Sequence, residues 1–115
     1  MTWQEVDKAI GILVSKIKKS KQEFTAICGI PRGGLIVSVI LSNKLNLPLV
    51  TYGLTNYNYM NLLISDDISD SGNTLSNFKD YKKVTLFWKK KSKVKPDYYY
   101  KIVSERIFIH FPWEK

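Results

Sequence analysis

The sequence predicts a three-layer α/β domain built on a mainly parallel sheet. One observation is an apolar stripe near the N-terminus, Trp3, Val6, Ile10, Leu13, Val14 and Ile17, whose spacing of about 3.6 residues marks one face of a helix. Another is a pair of short apolar runs, Phe24 to Ile30 and Leu62 to Ile64. Each leads into small or glycine residues from which a helix can start. At 115 residues the chain is expected to form a single domain spanning 1–115, large enough for one core.

Taken in order, the first helix covers Thr2 to Ser20, with Thr2 as its cap and Glu5 completing a capping box. Phe24 to Ile30 is the first core strand and runs into Pro31-Arg32-Gly33-Gly34. A second helix follows from Leu35 to Leu45, apolar on most sides and so expected to be largely buried. Leu49 to Tyr52 is a second short strand, and Leu62-Leu63-Ile64 a third, with Asp66 and Asp67 standing where it should end. Thr74 to Phe78 is a short helix, and Val84 to Trp88 and Tyr98 to Val103 are strands. A final strand is expected over Ile107 to Phe111, before Pro112-Trp113-Glu114.

Composition narrows the function. No apolar run approaches the roughly 18 residues of a membrane span, and the start lacks a basic segment followed by an apolar one, so a cytoplasmic protein without a membrane partner is expected. The single cysteine, Cys28, lies in an apolar run and reads as an inert core residue. A net charge of +8, with lysines bunched at 16–21, 82–83 and 89–95, fits a highly anionic substrate. Nucleic acid is the weaker reading of the same charge, and solvated lysines account for most of it.

The chemistry concentrates in Asn61 to Leu75. The adjacent carboxylates Asp66 and Asp67 suit the donor hydroxyls of a ribose, and Ser71, Gly72, Asn73 and Thr74 offer the amides and hydroxyls that cradle a phosphate. Arg32 and Gly33 form a second anion site, a forked cation beside a backbone that a ligand can approach closely.

The run Leu62 to Thr74 resembles the phosphoribosyl pyrophosphate signature of type I phosphoribosyltransferases: a hydrophobic strand, two acids, two apolar or small residues, Asp, Thr or Ser, Gly, any residue, Thr. The likeness extends from about Phe24 to Glu114 and lies nearest the bacterial xanthine-guanine and hypoxanthine branch. It implies a small C-terminal hood over approximately 89–115. It also implies transfer of the phosphoribosyl group of phosphoribosyl pyrophosphate to a 6-oxopurine (guanine, xanthine or hypoxanthine), with release of pyrophosphate.

By the same resemblance Asp70 is the catalytic acid or base near purine N7, and Asp66 and Asp67 hold the ribose and, through water, Mg²⁺. Ser71, Gly72, Asn73 and Thr74 hold the 5′-phosphate, and Arg32 and Gly33 the pyrophosphate, with the peptide before Arg32 expected to be cis or to switch on binding. Lys89 contacts the oxygen at purine position 6, with Lys90 and Lys91 as alternative registers. Phe108 stacks on the base and the backbone carbonyl of Ile109 faces its 2-position, whereas His110 is not expected to be catalytic. A homodimer or higher homo-oligomer is expected.

One departure stands out. Active members carry a long loop that closes over the reacting centre, whereas Gly53 to Asn61 is little more than a turn, which Tyr57 and Tyr59 could partly offset. Three classes therefore remain: a purine salvage enzyme, a nucleotide- or phosphoribosyl-pyrophosphate-binding module without catalysis, and a basic nucleic-acid-binding protein on the same scaffold.

Overall fold

A computed structural model describes residues 1–50 and 61–114. The elements are α1 (Trp3–Ser20), β1 (Ala26–Gly29), α2 (Gly33–Leu45), β2 (Leu49–Val50), β3 (Leu62–Ser69), a 3₁₀ turn (Leu75–Phe78), β4 (Lys82–Trp88) and β5 (Tyr98–Ile102). The described strands form one sheet of order β2-β1-β3-β4-β5, parallel at every pairing. Strand order reverses between β1 and β3, and open α/β sheets bind ligands in the crevice that such a reversal leaves at the carboxyl ends of the strands.

The capping box forms as the sequence requires. Thr2 Oγ1 accepts the Glu5 N–H at 3.1 Å, and Glu5 Oε1 accepts the Thr2 N–H at 3.2 Å. The α1 stripe buries Val6, Ala9, Ile10, Leu13 and Ile17 against the sheet and α2. Trp3, expected on that stripe, is 54% exposed instead, and its ring meets Trp113 at a centroid distance of 5.8 Å. Trp3 thus serves the C-terminal tail, while Val6 in the same turn serves the core.

Both helices share one sheet face, so α2 cannot be buried all round. Gly34, Val37, Ser38 and Leu41 face inward, while Leu35 and Val39 are exposed, contrary to the expectation for this helix. The opposite face buries Ala26, Cys28, Ile30, Leu62, Ile64 and Leu75 beneath Phe78, Tyr81 and Val94. Burial pushes the Cys28 thiol pKa up, in keeping with an inert core role.

β3 is longer than its apolar run and carries both acids inside the strand. The ladder with β4 explains this, since Asp66 pairs with Thr85, Ile68 with Phe87 and Ser69 with Trp88, whereas β1 ends where Gly29 pairs with Ser65. Asp66 and Asp67 therefore have a neighbouring strand on one side and the crevice on the other.

The strand expected over Ile107 to Phe111 does not form. Its backbone is held by irregular contacts instead: Ile107 N–H to the Ser104 carbonyl at 3.1 Å, Phe111 N–H to Glu114 Oε1 at 2.9 Å, and the Met1 amine to the His110 carbonyl at 2.9 Å. Of the strand expected at Leu49 to Tyr52, Leu49–Val50 is seen. Thr51 and Tyr52 lie outside the described residues, as do 53–60 with Tyr57 and Tyr59, on which the expectation of a shortened lid rests.

Candidate functional site

At the carboxyl end of the sheet the chain builds three adjoining hollows. The first, about 110 Å³, is enclosed by 68–75 together with Asp66. Gly72 turns it with φ +81°, and a Cβ there would meet Ser92 Oγ at 2.6 Å and the Lys93 and Val94 nitrogens at 2.9 Å. Only glycine suits both demands. The loop is braced from behind, because Lys93 N–H donates to the Ser71 carbonyl at 3.0 Å, and Ser69 Oγ meets Ser92 Oγ at 2.7 Å and donates to the Val94 carbonyl at 2.8 Å. Within it Ser71 Oγ accepts the Asn73 N–H at 3.2 Å, while the Gly72 and Thr74 amides have no hydrogen-bond partner among the described residues. Free amides beside hydroxyls suit an anion.

The second hollow, about 790 Å³, is lined by Arg32, Gly33, Ile36, Asp67, Trp113 and Glu114. The Pro31–Arg32 peptide that opens it is cis, one of the two outcomes expected for that position. Gly33 begins α2, and a Cβ on it would run into Asp67 Oδ2. Absence of a side chain at Gly33 is thus what lets the acid pair sit against the helix N-terminus.

The third, about 160 Å³, is lined by Asp67, Ile68, Asp70, Lys89, Phe108, Ile109, Phe111 and Glu114. Lys89 is the buried lysine of its run, 7% exposed, with Nζ 3.6 Å from Asp70 Oδ2 and donating to the Glu105 carbonyl at 3.3 Å. Lys91 approaches Asp70 Oδ1 at 3.7 Å, and Lys90 lines none of these hollows. Geometry therefore favours Lys89 within the run 89–91. Phe108 is 80% exposed at the rim, while Ile109 is half-buried against the core.

Asp67 walls the second and third hollows and Asp70 the first and third, so the three share carboxylates at their junctions. The acid pair is electrostatically loaded. Burial, then the charge of Asp67, pushes the Asp66 carboxyl up to about 8, and its Oδ1 accepts the Asp67 N–H at 2.8 Å. Asp67 is raised as well, chiefly by burial, with Glu114 adding repulsion.

A divalent cation would relieve that crowding. Among the described residues no group of three or more His, Cys, Asp or Glu is placed to hold a metal alone, so two carboxylates with remaining positions left to substrate oxygens and water fit the habit of Mg²⁺. Every site residue expected from the sequence lies on one of the three hollows. Glu114, Trp113, Phe111 and Ile36 line them too and were not expected. The Pro-Trp-acid triplet at 112–114 was the available signal, read only as the mark of a tail.

No protein-family model matches the chain. The crystal structure of a purine phosphoribosyltransferase from Pyrococcus horikoshii superposes over 100% of this chain and 92% of its own, with a TM-score of 0.83 and 33% identity. This chain belongs to the type I purine phosphoribosyltransferase family. A bacterial relative, the xanthine-guanine phosphoribosyltransferase of Idiomarina loihiensis, is 24% identical across 99% of this chain and 85% of its own length. The same fold occurs in a hypothetical protein from Neisseria gonorrhoeae with bound ppGpp, at 20% identity, a TM-score of 0.78, and coverage of 100% of this chain and 88% of that one. Within the type I phosphoribosyltransferase fold, the described residues contain no helix long and apolar enough to cross a membrane.

Proposed function

We propose that the protein transfers the phosphoribosyl group of phosphoribosyl pyrophosphate to a 6-oxopurine base and releases pyrophosphate. The observation that carries this is the meeting of three hollows at Asp67 and Asp70, which matches a substrate made of phosphate, sugar and pyrophosphate beside a planar base. Ser71, Gly72, Asn73 and Thr74 hold the 5′-phosphate through amides and hydroxyls. Arg32 and the amide end of α2 at Gly33 hold the departing pyrophosphate.

Asp66 and Asp67 accept from the ribose hydroxyls and would hold Mg²⁺, in part through water. When bound, that ion would supply positive charge to offset the anionic substrate. Phe108 covers the purine face, the Ile109 carbonyl faces its 2-position, and Lys89 donates to the oxygen at position 6. The bond from the anomeric carbon to pyrophosphate breaks as the bond to a purine nitrogen forms, through an oxocarbenium-like state. Asp70, held by Lys89 and Lys91, exchanges the proton at N7.

A second reading, a binding module without turnover, is favoured by the short segment between β2 and β3. Incubation with phosphoribosyl pyrophosphate, Mg²⁺ and each purine base separates the two. Nucleotide formed by the wild type and lost in Asp70→Asn supports the enzyme, whereas saturable binding without product supports the module. We further infer a cytoplasmic homo-oligomer, for which the exposed Leu35, Val39 and Leu49 offer apolar surface.

A further inference from the structure

On the sheet face away from the two helices lies a fourth hollow, about 320 Å³, that none of the proposed chemistry uses. Its lining is Leu75, Ser76, Val94 and four lysines, Lys79, Lys83, Lys93 and Lys95, with no carboxylate among them. Lys83 is 7% exposed, unusual for an ammonium group, and its hydrogen bond to the Tyr81 carbonyl at 2.7 Å occupies one of three N–H donors. Burial pulls the Lys83 ammonium below the usual lysine range, and the acids that oppose this are Asp97 and Asp80. Asp97 is already committed, accepting the Lys83 backbone N–H at 2.8 Å and lying 3.6 Å from Lys82 Nζ. Lys95 is steadied over the Trp88 ring, 5.3 Å from its centroid.

Four lysines line this one concavity with no carboxylate to offset them, and a single phosphate would neutralise about two such charges. The match is a chain of two or three phosphates. The position of the hollow matters as much as its charge. Leu75 lines both this hollow and the first, Ser76 follows it in the chain, Lys93 and Val94 pack behind Gly72, and the Lys93 N–H is bonded to the Ser71 carbonyl. The same backbone is the outer wall of one anion site and the inner wall of the other.

We propose that this lysine-lined hollow binds the oligophosphate chain of a small molecule, on the reverse side of the loop at 71–74. This does not depend on the activity proposed above. Sodium tripolyphosphate, titrated without Mg²⁺ and followed by amide NMR, tests it on the wild type, on Lys79→Gln/Lys95→Gln and on Arg32→Ala.

The expected result is saturable shifts at Ser76, Lys93 and Val94 that persist in Arg32→Ala and weaken at least tenfold in apparent affinity in the double lysine variant. Shifts confined to 71–74 that vanish in Arg32→Ala would place all binding at the front and overturn the proposal. Linear shifts spread over every lysine would overturn it as a mere ion atmosphere. Saturation by a single-stranded RNA oligonucleotide with no response to tripolyphosphate would replace the small molecule with nucleic acid and overturn it too.

Discussion

Replacing Asp66 with Asn should make the ligand-free protein more stable at alkaline pH while weakening its hold on substrate. In the folded chain Asp66 is raised from 3.8 to about 8 by burial and by the charge of Asp67. Between those values the native state keeps a proton that the unfolded chain has lost, so this contribution to stability is complete below about pH 4 and is lost as pH rises through about 8. A shift of about four units corresponds to a ceiling of about 6 kcal/mol at roughly 1.4 kcal/mol per unit. Water reaching the pair from the open crevice reduces this to about 1–3 kcal/mol.

Asparagine keeps an oxygen to accept the Asp67 N–H and removes the charge. Thermal melts of both proteins from pH 4 to 9 should coincide near pH 4 and separate by about 4–12 °C at pH 8, with the variant higher, taking about 4 °C per kcal/mol. Phosphoribosyl pyrophosphate with Mg²⁺ should then raise the wild type more than the variant. Parallel curves at every pH, or a variant that melts lower at pH 8, would refute the account of a pair under electrostatic load.

Phe108→Ala should raise the KM for the base about tenfold and leave the melting temperature within 2 °C, because the ring is 80% exposed; a large drop in melting temperature would show that it packs the core instead. Gly33→Ala drives a methyl group into Asp67 and should cost about 1–3 kcal/mol in denaturant titrations together with most of the affinity for pyrophosphate. Gly72→Ala combines a positive φ with contact on Ser92 and should cost a similar 1–3 kcal/mol, read by the same titration. Lys89→Ala leaves Asp70 with Lys91 alone, and kcat/KM for 6-oxopurines should fall about 100-fold, with adenine as the control base.

The parallel sheet and the ligand loop were legible in the sequence because both are local. A run such as Leu62-Leu63-Ile64 needs cover on two faces, and Ser71 to Thr74 carries its turn and its donors in consecutive residues. What escaped depends on partners distant in the chain. The strand continued through Asp66 and Asp67 because β4 outlasts β1, which periodicity cannot reveal. The face of α2 bearing Leu35 and Val39 stayed outside because α1 occupies part of the same layer. Ile107 to Phe111 has the composition of a strand, yet its backbone finds Glu114 and the chain's first residue rather than a ladder. Glu114 became visible as part of the site only once the tail folded back beside Asp67.

The common walls at Asp67 and Asp70 have a practical corollary for ligand chemistry. Molecules that each fill one compartment must orient against the same two carboxylates, so their affinities should not simply add. A single compound spanning the base and phosphate compartments would meet each carboxylate once and gain the high local concentration of a tether. Screening that starts from such joined molecules should outpace screening of the separate pieces.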